Sequence, residues 1–203
     1  MIRMAPEASM KTYIFGLGTG RCGTQSLSRL LDSQTDSMIT HEYGEILPWT
    51  IKTDRLDRKL QIISERSGVL VGDVASYYLP YVNHIIDKTH NRVKFIILKR
   101  DADEVCDSFM KKTSGRDHWR TGHGRPCRWD VAFPKFNDAQ DKRDAIRKYC
   151  DMYYEMCENI PDELKYTINM TDLNVPTRCL QMLSWLRVEQ PVYKKIHTNK
   201  NLQ

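Results

Sequence analysis

The sequence predicts an α/β fold of three layers, a central parallel sheet with helices on both faces. Three observations predict it. Short apolar runs alternate with longer helical patterns along the whole chain, the order expected of parallel strands joined by helices. The run Tyr13-Ile14-Phe15-Gly16-Leu17 passes straight into a glycine-rich turn that opens a helix. The run from Arg92 to Arg100 is almost continuously apolar, as in a strand buried on both faces, and hands over to a helix led by acidic residues.

Taken in order, strands are expected at Lys11–Leu17, Ser37–His41, Gly68–Asp73, Arg92–Lys99 and Lys165–Met170. Helices are expected at Gly23–Asp32, Thr53–Ser67, Tyr77–Thr89, Asp101–Lys112, Asp138–Glu158 and Thr171–Arg187. Asp101, Asp103 and Glu104 sit in one first turn, where the helix dipole favours them. Tyr149, Tyr153 and Tyr154 have the spacing of packing residues on the fifth helix. Residues 113–137 break the alternation. The stretch holds Gly115, Gly122, Gly124, Pro126, Pro134, Trp119 and Trp129, and a segment this long without periodicity is expected to be a lid over a binding site.

At 203 residues the chain is expected to form one domain, 1–203. Its formal net charge of +5 is explained mostly by a solvated surface, with bases dispersed among acids, so no nucleic-acid partner is expected. No run approaches the roughly 20 apolar residues that cross a bilayer, and Met1 to Glu7 contains no hydrophobic signal core. No membrane partner and a cytoplasmic location are the expectations. The six cysteines form no C-x-x-C pair and are expected to be reduced and buried or half-buried. His118, His123 and Cys127 share one loop, but their spacing fits no zinc pattern, so no metal is expected.

The turn after the first strand is built to hold an anion. Its glycines let backbone N–H groups converge, and a helix N-terminus adds about half a positive charge. In a nucleoside triphosphatase the turn reads G-x-x-x-x-G-K-[ST]. Here Gly18 and Gly23 keep the spacing, but Thr24 stands where the lysine belongs and Gln25 where the magnesium-binding hydroxyl belongs. Arg21 is the one cation in the turn. The dinucleotide pattern G-x-G-x-x-G is met by Gly16 and Gly18 but has Cys22 in third place. Backbone donors with Arg21, Thr24 and Ser26 suit a bisphosphorylated nucleotide.

Arg100, at the end of the fourth strand, and Ser108, two turns along the next helix, are placed to meet on one phosphate. Together the two segments resemble the sulfotransferases that use 3′-phosphoadenosine-5′-phosphosulfate. The family's 5′-phosphosulfate loop is matched by Arg21-Cys22-Gly23-Thr24 with Gln25 and Ser26 following, with Cys22 in place of serine. Its 3′-phosphate segment is matched by Arg100-Asp101-Ala102 through Ser108, with Ala102 in place of proline. Val69 to Leu79 and Leu164 to Leu173 resemble the family's central and late strands, and Val74 and Ser76 stand where some members carry lysine and proline.

The resemblance implies a P-loop-like nucleoside-triphosphatase fold of the sulfotransferase type, with Arg21, Cys22, Gly23, Thr24, Gln25, Ser26, Arg100 and Ser108 binding the donor. It implies adenosine 3′,5′-bisphosphate (PAP) as product and no metal. The acceptor is expected to be a hydroxyl or amine of a small molecule or carbohydrate. Arg21 would stabilise the leaving side, and the expected base is Glu42, ahead of His41 by a narrow margin, both ending the second strand. Asp73 is expected to orient acceptor or Arg21, or to cap a helix. Loops Glu45–Thr53 and Thr113–Asn137 are expected to set specificity. Residues 188–203, with Lys194, Lys195, His197, Asn199 and Lys200, read as a basic, frayed tail. The alternatives are a P-loop-like nucleotide or small-metabolite kinase, and a regulatory protein that binds nucleotide without transfer chemistry.

Overall fold

The computed structural model describes residues 10–195. Five strands, β1 (Thr12–Leu17), β2 (Ser37–His41), β3 (Leu70–Val74), β4 (Val93–Lys99) and β5 (Lys165–Asn169), form one parallel sheet in the order β2-β3-β1-β4-β5. Among the described residues six α-helices connect and follow them: α1 (Thr24–Asp32), α2 (Thr53–Ser64), α3 (Val82–Lys88), α4 (Ala102–Lys112), α5 (Lys142–Glu158) and α6 (Pro176–Trp185).

Strand alternation sorts side chains onto two faces and so makes the layers. Phe15 and Leu17 of β1, with Phe95 and Ile97 of β4, join a core that takes in Leu56 and Leu60 of α2, Ile85 of α3, Phe109 of α4 and Tyr149 of α5. Ile14, Ile96 and Leu98 point the other way and pack under Leu27, Leu30 and Leu31 of α1 and Met182 and Leu183 of α6. The three-layer α/β/α architecture follows.

The expected helix over Tyr77–Thr89 is split. Ser76–Tyr81 is a 3-10 turn containing Pro80, and the α-helix begins only at Val82. Proline has no N–H for the helical ladder and clashes with the preceding turn. The helix expected from Thr171 likewise starts at Pro176, the first-turn position where proline is preformed. Residues 170–174 before it are a 3-10 turn closed by a reciprocal Asn169–Asp172 capping box.

Residues 188–193 are not frayed. Val188 is buried, the Val192 N–H donates to Gln34 Oε1 (2.9 Å), Gln34 Nε2 donates back to the Val192 carbonyl (2.9 Å), and the Tyr193 hydroxyl reaches the Leu173 carbonyl (3.3 Å). A side-chain amide that completes a strand-like backbone pair holds this segment against α1. His197, Asn199 and Lys200 lie outside the described residues. Among the described residues no helix is long and apolar enough to cross a membrane.

Candidate active site

The sheet order puts the chain's reversal between β1 and its two neighbours, where open parallel sheets bind ligands beyond the strands' carboxyl ends. A cleft of about 1110 Å³ opens there. Its walls include Arg21, Gly23, Thr24, Gln25 and Ser26 after β1, His41 and Glu42 after β2, Ser76 after β3, and Arg100 and Ser108 after β4.

The N-terminus of α1 carries no side-chain cap. Its N-cap is Gly23, and its first turn holds no acidic residue. The contrast is α4, whose N-cap Asp101 accepts from the Asp103 and Glu104 amides (3.0 Å each) and whose first turn is acidic. Gly23 has φ +92°, and a Cβ there would meet Met170 Cγ at 2.9 Å, so the tight turn into α1 requires glycine. Arg21 also lies in the left-handed region, at φ 57°.

Two segments distant in sequence meet on Arg21. Its Nε donates to Ser108 Oγ (3.0 Å), and an Arg100 terminal nitrogen donates to its carbonyl (2.7 Å). Arg100 Nε is held by Glu104 (2.8 Å). Two guanidinium groups, a hydroxyl and an uncapped helix end therefore border one cleft, a donor set suited to phosphate oxygens.

Cys22 differs from its expected place. Its side chain is fully buried in the α1 and α6 face, and burial pushes its thiol up to about 11. Only its backbone is available to a ligand. All six cysteines are free, and only Cys127 is more than marginally exposed.

The tyrosines of α5 hold the turn from behind. The Tyr153 hydroxyl accepts from the Gly18 N–H (2.9 Å) and donates to the Ser76 carbonyl (3.1 Å), while the Tyr149 hydroxyl donates to the Thr19 carbonyl (3.1 Å). Helical spacing marked these residues as core; their hydroxyls also fix the glycine-rich turn after β1. Tyr153→Phe would strand a buried N–H and is expected to cost about 1–3 kcal/mol, read by urea denaturation.

Glu42 and His41 stand beside the loop. His41 Nε2 lies 3.0 Å from Thr24 Oγ1 and 3.8 Å from Glu42 Oε1. Glu42 has φ 51°, strained for a residue with a Cβ, and its N–H donates to the Val74 carbonyl (3.2 Å). Burial, and next the Asp73 carboxylate, push its carboxyl up to about 7, against the opposing pull of Arg21. Burial lowers the pKa of His41, with Asp73 opposing, so its imidazole is neutral at physiological pH.

Asp73 neither reaches Arg21 nor caps a helix. It is fully buried and accepts from Thr40 Oγ1 (2.7 Å), the Tyr78 hydroxyl (2.8 Å) and the Tyr43 N–H (3.3 Å). It anchors the turn that carries Glu42, and its charge sits behind that carboxyl. No sequence pattern announced this role, because two of its partners, Thr40 and Tyr43, come from β2 and the turn after it, 33 and 30 residues away in the chain.

Residues 113–137 form a wall of the cleft. Trp119 is fully buried, in edge contact with Phe109 at 4.8 Å between ring centroids, and Phe133 stacks on His118 at 5.3 Å. His118, Trp129 and Phe133 face the cleft, whereas residues 45–53 do not line it. His118 Nδ1 pairs with Asp130 Oδ1 at 2.6 Å, and Cys127 Sγ lies 3.8 Å from both. His123 is exposed and outside this group.

No family model and no curated protein matches the sequence. Solved structures match it in shape. A sulfotransferase from Alicyclobacillus acidocaldarius superposes with a TM-score of 0.60 at 15% identity, over 94% of this chain and 87% of that one. The sulfotransferase domain from the curacin biosynthetic pathway gives 0.53 at 14% identity, over 90% and 76%. Mouse sulfotransferase SULT7A1, complexed with PAP, gives 0.50 at 12% identity, over 89% of this chain and 62% of that one. The chain thus has the P-loop-like α/β fold found in sulfotransferases.

Proposed function

We propose that this chain is a sulfotransferase that moves a sulfuryl group from 3′-phosphoadenosine-5′-phosphosulfate to a hydroxyl or amine of a small-molecule or carbohydrate acceptor. The observation that carries the reading is the junction of Arg21, Arg100 and Ser108 at the uncapped N-terminus of α1. The loop also lacks the lysine and hydroxyl that magnesium-dependent phosphoryl transfer needs, which weighs against a kinase. A PAP-bound sulfotransferase of similar fold is consistent with the nucleotide assigned.

The cleft residues fit such a nucleotide. Gly23 keeps the space above α1 free of a side chain, and the first-turn amides have no side-chain cap competing for them. Arg100 and Ser108 would hold the 3′-phosphate, and Arg21 with the amides of Gly23 and Thr24 the 5′ side. When bound, the donor supplies an activated sulfuryl group whose bond to the 5′-phosphate oxygen breaks as the acceptor's bond to sulfur forms. Arg21, always charged, would stabilise negative charge gathering on the leaving oxygen. Glu42 would take the acceptor's proton, and a carboxyl that titrates near 7 is matched to that task. His41, neutral and in contact with Thr24, would steady the loop rather than carry charge.

Calorimetry separates the readings. Adenosine 3′,5′-bisphosphate is expected to bind at least about tenfold more tightly than ATP with magnesium, the worth of one charge-assisted contact. Preference for ATP would favour the kinase reading. Tight bisphosphate binding with no turnover across a broad acceptor panel would leave a nucleotide-binding regulator.

A further inference from the structure

The chain's charge is not evenly spread. Residues 111–128 contain six Lys/Arg against a single carboxylate, Asp117, and so carry the whole formal net charge of +5; elsewhere bases and acids balance. The dispersed surface expected from composition is corrected by this count.

The structure gathers those cations beside the cleft. Lys111, Lys112 and Arg116 line it, all three are exposed, and none pairs with a carboxylate among the described residues. A backbone bridge between Arg116 and Gly124, with the Arg125 N–H donating to the Gly115 carbonyl (2.8 Å), folds the segment back on itself at the end of α4. The acids nearby are already taken: Glu104 by Arg100, Asp107 by Arg143, Asp117 by Arg120. On the outer face the pattern is the reverse, with Arg143 and Arg147 both paired to Asp103 and Lys148 to Asp138. Basic residues ending a helix suit its dipole, which accounts for Lys111 and Lys112 in part. It accounts neither for Arg116 nor for the lack, among the described residues, of a carboxylate partner for any of the three.

We propose that the acceptor is itself anionic, an acidic sugar whose carboxylates or sulfates are held by Lys111, Lys112 and Arg116 while its ring packs on Trp129. This rests on the sulfuryl-transfer reading. Unpaired cations along one wall of a cleft concentrate an anionic ligand, and the half-buried Trp129 ring that also lines it suits the apolar side of a pyranose. The nucleotide has its own grip in Arg21, Arg100 and Ser108, so these three cations are surplus to it.

The test uses the intact chain saturated with adenosine 3′,5′-bisphosphate and two probes. One is an oligosaccharide of alternating glucuronic acid and N-acetylglucosamine; the other is the same chain with its carboxylates reduced to alcohols. The charged probe is expected to bind at least about tenfold more tightly, an advantage that shrinks as salt is raised. In the triple variant Lys111→Ala, Lys112→Ala, Arg116→Ala the charged-to-neutral ratio falls toward one. Equal binding of the two probes, or binding of neither, overturns the inference. So does a triple variant that loses bisphosphate affinity as far as Arg100→Ala does, since the cations would then serve the nucleotide. Tighter binding of a single-stranded oligonucleotide than of the charged sugar, lost in the triple variant, would reassign the patch to nucleic acid. If the bisphosphate itself does not bind, the proposed function fails separately, and the same titrations on the free protein still decide the patch.

Discussion

Replacing Glu42 with glutamine lowers kcat by about 10²–10³-fold while bisphosphate affinity is retained, the loss typical of removing a general base. The expectation stems from how the side chain is held. The left-handed backbone at Glu42 and its N–H bond to Val74 fix the direction of the carboxyl, and its burial, and next the Asp73 carboxylate behind it, raise its affinity for a proton. The wild-type rate should therefore rise through about pH 7 as the carboxyl ionises, and the glutamine variant should show no such limb. The same shift sets a stability signature. A free glutamate ionises near 4.5, and this one only near 7, so between those values the folded state binds more protons than the unfolded. Stability contributed by the neutral carboxyl is complete below pH 4.5 and declines as pH rises through 7. Glu42→Gln removes that decline, so its melting temperature should exceed the wild type's at pH 8 and not at pH 4. A variant with full turnover and normal bisphosphate binding would show that another group takes the proton.

Both strand–helix junctions were legible in the sequence, and for local reasons. A strand segment buried on both faces has to be apolar, as Phe95–Leu98 is, and the tight turn into α1 is marked by Gly23 with no acid in the helix's first turn. That Glu42 and His41 border the cleft was legible because side chains at strand ends line the cleft of any such sheet. What escaped depended on partners far along the chain. Asp73 looked like a site residue because two of its donors, Thr40 and Tyr43, are brought to it only by the pairing of β2 with β3. Cys22 looked like a ligand because its side-chain direction is set by packing against the α6 face, which the motif does not encode. The tail looked frayed because nothing local reveals that Gln34 pairs with Val192. The gathering of charge on residues 111–128 was visible in the sequence but was hidden by reading the total alone.

Arg100→Ala lowers affinity for adenosine 3′,5′-bisphosphate by about 100-fold, and Arg100→Lys by about tenfold. A charge-assisted hydrogen bond contributes about 1.5–3 kcal/mol, and alanine removes both that bond and the tie to the loop. Geometry separates the two substitutions. The guanidinium reaches in two directions at once, its Nε to Glu104 and a terminal nitrogen to the Arg21 carbonyl. Lysine keeps the charge but presents a single point, so it cannot hold Glu104 and the loop together. Ser108→Ala removes one hydroxyl, to which Arg21 Nε donates, and should cost less than either. Because Arg100 is mostly shielded from solvent yet sits at the cleft's edge, its loss should change melting temperature far less than affinity. Titration of the three variants by calorimetry gives their order. If Arg100→Ala binds the bisphosphate as the wild type does, the contact between Arg100 and Arg21 only braces the loop. The cleft's anion would then be held by α1 and Arg21 alone, and the two-ended grip that distinguishes a 3′,5′-bisphosphate from a simple phosphate would be absent.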